Sequence, residues 1–75
     1  MSKKQLLTVL RAKYESDIEQ SKVNINTFLS QNIGVADHIN FTETLDTEIE
    51  KLARAKDMLD ALQLIEDGIQ ESPPK

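Results

Sequence analysis

The residue types with most chemical potential gather around the single histidine. His38 follows Asp37 and precedes Asn40, Glu43 and Asp46. An imidazole with several carboxylates holds a divalent metal when the groups converge. A His–Asp pair also supports nucleophilic catalysis, but only with a nucleophile and correct mutual orientation. No such nucleophile is evident here, and neighbours in sequence at a helix start do not converge by themselves. His38 is therefore expected as a surface or capping residue. The carboxylates Glu48, Asp57, Asp60 and Glu66 offer no stronger pattern. Asp57 and Asp60 stand three apart, as in an inward Glu-x-x-His metal motif, but the histidine is missing. These four are expected on solvated helix surface. There is no glycine-rich phosphate loop after a strand, no Cys-x-x-Cys pair and no His-Glu-x-x-His motif. The reading is of a non-enzymatic protein with no catalytic residue, no cofactor and no metal site.

The basic residues suggest a second chemistry. Lys3, Lys4, Arg11 and Lys13 lie within the first 14 residues, and all 13 acidic residues follow them. Such a patch could contact phosphates, with Lys22 as a further member. The net charge of -4 opposes a broad nucleic-acid surface, because polyanion binding needs many neutralising cations. The simpler expectation is that the basic end lies beside the acidic second half, in its own or another subunit.

Two amphipathic stripes must position these groups. Leu7, Tyr14, Ser21 and Phe28 recur every seven residues, with Arg11, Ile18, Ile25 and Asn32 as the interleaved seam. In the second half, Leu45, Leu52, Leu59 and Glu66 alternate with Glu48, Ala55, Leu62 and Ile69. Spacings of three and four place each set on one side of a helix. The pattern predicts an all-α fold, an antiparallel helical hairpin. Helix 1 is expected over about 3–31, a turn over about 32–40 and helix 2 over about 41–68, within a domain of residues 1–71. Ser2 and Gln5 fit a capping box at the first helix start. Asn40 with Glu43 fits one at the second, with Asp37 as the alternative cap. Gly34 suits the end of helix 1 and Gly68 the end of helix 2. The tail 72–75 carries Pro73 and Pro74, which cannot continue a helix, and is expected to be disordered. Val23 to Thr27 is a run of poor helix formers, so a break in helix 1 is the competing reading there.

Leu6, Val9, Leu10, Leu29, Ile49 and Ile65 widen the stripes beyond one seam. A chain of 75 residues with 39% hydrophobic content and no cysteine is marginal as an isolated unit. The sequence therefore predicts pairing of two hairpins into a coiled-coil-like four-helix bundle, a homodimer before a tetramer. The expected oligomer core is Leu7, Leu10, Tyr14, Ile18, Ile25, Phe28, Leu45, Ile49, Leu52, Ala55, Leu59 and Leu62. Phe41 is expected to cover the loop or to dock a partner. No apolar run approaches the roughly 20 residues that span a bilayer, so no membrane partner and a cytoplasmic location are expected.

The segment Asn32-Ile33-Gly34-Val35-Ala36-Asp37-His38, with the acidic helix over 45–62, resembles small uncharacterised helical proteins of T4-like marine tailed phages. Gly34 and His38 match a Gly-x-x-x-His turn. Asp57, Leu59 and Leu62 match a later Lys/Asp-x-Leu-x-x-Leu pattern, while Met58 departs from the charged residue found there. The resemblance implies a phage accessory protein inside an infected bacterial host and supplies no enzyme activity. Three functional readings result. The first is an assembly or adaptor protein acting through protein–protein contacts. The alternatives are a nucleic-acid-binding regulator using Lys3, Lys4, Arg11 and Lys13, and an acidic inhibitor or modifier of a host enzyme.

Overall fold

The computed structural model of the chain describes residues 1–31 and 38–70. Helix α1 runs Lys3–Gln31 and helix α2 runs His38–Gln70. At about 1.5 Å per residue they are rods of roughly 43 and 50 Å. Contacts between them occur along their whole length, and no strand occurs among the described residues. Arg11 meets Glu66 at one end, Asn24 meets Glu48 further along, and Phe28 meets Phe41 at the other. That order makes the pair antiparallel, a helical hairpin.

The first helix begins as its sequence dictates. Gln5 N donates to Ser2 Oγ at 3.1 Å, and Ser2 N donates to Gln5 Oε1 at 2.9 Å. This reciprocal capping box satisfies two amide donors that a helix start otherwise leaves without partners. The run of poor helix formers near residue 25 does not break α1. Gln20 Nε2 donates to Asn24 Oδ1 at 2.9 Å, and Asn24 Nδ2 donates across to Glu48 Oε1 at 3.1 Å. Contact with α2 thus overrides weak local propensity.

α2 starts at the earlier of the two positions read from the sequence and ends later than expected. It starts at His38, so Asn40 lies within its first turn and is not the cap; Asp37 and Gly34 lie outside the described residues. At the far end Gly68 is helical, and α2 continues to Gln70. One glycine costs a helix only about 1 kcal/mol relative to alanine, too little to end it without an alternative conformation to reward. The tail 72–75 also lies outside the described residues.

The least exposed residues alternate by four and three along both helices. On α1 they are Leu7, Arg11, Tyr14, Ile18, Ser21, Ile25 and Phe28. On α2 the series begins at Phe41 and Leu45 and reaches Leu62 and Glu66. This is the two-column seam of an antiparallel coiled coil. Phe41 joins it by packing on Phe28, ring centroids 4.5 Å apart and planes at 82°. The seam is thin. Among the described residues, only Ser21, Ala55 and Leu62 are buried.

Candidate functional site

The chemical candidates disperse over the hairpin. His38 heads α2, and among the described residues no three His, Cys, Asp or Glu side chains converge as a metal site would need. Asp57 and Asp60 are exposed, as expected. Glu48 and Glu66 are not: their side chains are 15% and 21% exposed. This corrects their placement on solvated surface. Both occupy seam positions, and each meets a donor from α1 there. Arg11 reaches Glu66 across the seam and also donates to Gln63 Oε1 at 2.8 Å. Glu48 accepts from Asn24 and pairs with Lys51 at 3.3 Å.

These contacts perturb the groups involved. The hydrogen bond to Glu66 raises the Arg11 pKa, against the opposing effect of burial. The hydrogen bond from Asn24 lowers the Glu48 pKa; burial opposes it and Lys51 reinforces it. Lys13 is raised by its hydrogen bond to Asp17 at 2.9 Å, and its ammonium stands 5.8 Å from the Tyr14 ring centroid. Such pairings stabilise charge in place; none creates a nucleophile or a group titrating near neutrality.

The four basic residues near the N-terminus do not form one stripe. Arg11 turns into the seam, and Lys13 is held by Asp17. Lys3 and Lys4 line a surface hollow with Glu66 and Ile69 at the hairpin's open end. The basic segment therefore lies beside its own acidic second helix, the simpler of the two expectations.

Ten of the twelve residues assigned to an oligomer core lie in the seam within one chain: Leu7, Tyr14, Ile18, Ile25, Phe28, Leu45, Leu52, Ala55, Leu59 and Leu62. Leu10 and Ile49 stand outside it, 37% and 52% exposed. They flank the seam on opposite sides. The side with Leu10 carries an open hollow of about 350 Å³, whose walls include Lys13, Asp17, Lys51, Arg54 and Met58. Repeating those columns by seven residues adds Lys3, Leu6 and Leu10 on α1 and Ala61, Ile65 and Gly68 on α2. The other side carries Glu15, Glu19, Lys22 and Leu29 from α1, with Asp46, Ile49, Lys56, Asp60 and Asp67 from α2. The hairpin is thus two-sided. The Leu10 face has Lys3, Lys13, Lys51 and Arg54 against Asp17 alone; the Ile49 face has five carboxylates against two lysines. Sequence reading missed this asymmetry. Its signal was present in the residues immediately flanking each seam position, which separate into faces once the helices are known to be antiparallel.

No family model, no curated protein and no solved structure matches the chain.

Proposed function

We propose that this chain is a non-enzymatic assembly or adaptor protein that self-associates, dimer first, and acts through protein–protein contacts. One observation carries the reading. The hairpin leaves Leu6, Val9, Leu10, Leu29, Ile49, Met58 and Ile65 between 37% and 55% exposed, while among the described residues its own seam buries only Ala55 and Leu62 of the apolar side chains. Large apolar side chains in that number on so small a body favour a further helical surface as their cover. The resemblance of residues 32–38 and 45–62 to small phage helical proteins implies an accessory role inside a bacterial host. Nucleic-acid binding is the weaker reading, because Arg11 and Lys13 are engaged by carboxylates of the same chain.

Dilution tests the proposal. A self-associating hairpin loses apparent melting temperature as its concentration falls, through mass action. A melting temperature independent of concentration, together with salt-sensitive binding to a short DNA or RNA duplex, would replace it with the regulator reading.

A further inference from the structure

We propose that a second copy of this chain packs on the Leu10 face, related to the first by a two-fold axis running along the hairpin. This rests on the self-association reading and specifies its face and symmetry.

Three observations select this face and this axis. The first is the distribution of apolar surface. Leu6, Leu10 and Ile65 are 51%, 37% and 54% exposed and lie toward one end of the face, with Met58, 44% exposed, near its middle. Thr27, Thr44 and Thr47 belong to the same face toward the other end. A two-fold axis along the hairpin lays α1 of each copy over α2 of the other, end matched to end. Leu6 and Leu10 then flank Ile65 of the second copy, twice over. A perpendicular two-fold would set the apolar end on the threonines. Gly68 and the small Ala61 keep this end of the face low, and Gly68 stands in open space within one hairpin.

The second observation is charge. Asp17 uses Oδ2 on Lys13, while its Oδ1 has no partner among the described residues. Arg54 has none there either, yet it lines the same hollow as Asp17. The Arg11–Glu66 and Asn24–Glu48 contacts bracket them and put Arg54 about one helical turn, roughly 5 Å, from the height of Asp17, within the reach of an arginine side chain. A two-fold along the hairpin places Arg54 of each copy against Asp17 of the other. Lys13 and Lys51 are already matched by Asp17 and Glu48. Self-pairing opposes a net +3 to +3 on this face and -3 to -3 on the Ile49 face, so net charge does not choose between the faces; the Arg54–Asp17 match is what favours the axis.

The third is size. The face is about 43 Å long, from the length of α1, and roughly 20 Å across for two side-by-side helices. That footprint is on the order of the 800 Å² per partner found in stable interfaces. In the resulting four-helix bundle every helix is antiparallel to both adjacent helices, so their dipoles oppose.

Charge reversal and spin labelling test the arrangement on the full chain. Arg54→Glu should weaken dimerisation by about tenfold or more, and Arg54→Glu with Asp17→Lys should restore most of it. Ile65→Glu, at an exposed position, should also weaken the dimer while the monomer stays helical. The protein has no cysteine, so Ser30→Cys accepts a single label on the outside of α1. Copies aligned end to end in this way hold the two labels within about 30 Å, whereas a perpendicular two-fold separates them by about 40 Å or more. A dimer that ignores the Arg54 and Ile65 changes but dissociates with Ile49→Glu would overturn the face and leave self-association standing. The longer label distance would overturn the axis. A wild-type monomer at every concentration would remove the self-association reading itself.

Discussion

Replacing Leu62 by alanine removes the most buried large side chain of the seam, 3% exposed. Leu→Ala changes in cores cost about 2–5 kcal/mol, and the lower half of that range applies where neighbours can collapse into the gap. The seam here is two helices thin, so about 2–3 kcal/mol is expected. A chain of this length has roughly 4–11 kcal/mol of stability in total, so the change removes a large share. For a domain of this size each kcal/mol shifts the melting temperature by about 4–8 °C, which gives a fall of about 10–20 °C. Leu64, two residues on, is 73% exposed. Leu64→Ala should change stability by no more than about 0.5 kcal/mol. Thermal melts followed by circular dichroism at 222 nm, at one protein concentration, compare the two variants directly. A Leu62→Ala melt within 2–3 °C of wild type (about the shift of 0.5 kcal/mol) would refute the seam as the source of stability. Equal damage from both variants would show that α2 buries a different face.

Three further outcomes are expected. Ile18→Asp puts a carboxylate without a partner into the seam and should abolish cooperative melting; a variant that retains its helicity and transition would contradict the position of Ile18. Ser2→Ala removes half of the capping box and should cost about 1 kcal/mol, read by chemical denaturation. The Glu48 pKa is lower folded than unfolded, so its contribution is present above the unfolded value and is lost as pH falls through the folded one. Stability should therefore decline below about pH 4, and Glu48→Gln should flatten part of that decline in melts taken across the acid range.

Much of the fold was legible because period-seven spacing is a property of sequence itself. Leu7, Tyr14, Ile18 and Phe28 could share a face only on a helix, and the Ser2–Gln5 box is a local contact within one turn. The ends of α2 were less legible. Asn40 and Gly68 both carry end signals, yet both lie inside the helix, since each signal is worth about a kcal/mol and contact with α1 decides. The environments of Glu48 and Glu66 were hidden for a different reason. Their seam positions were readable, but the donors that make half-burial tolerable, Asn24 and Arg11, come from the other helix. The same holds for the two faces. Lys13, Asp17 and Arg54 become neighbours of one hollow only after α1 and α2 are set antiparallel.

Sedimentation equilibrium across a wide concentration range tests the central claim, that this hairpin is one half of a self-assembled unit, most directly. The exposed apolar residues predict a mass that rises with concentration from 8.5 kDa toward twice that value, with helicity and melting temperature rising alongside it. A stable, fully helical 8.5 kDa species at every concentration would contradict the claim.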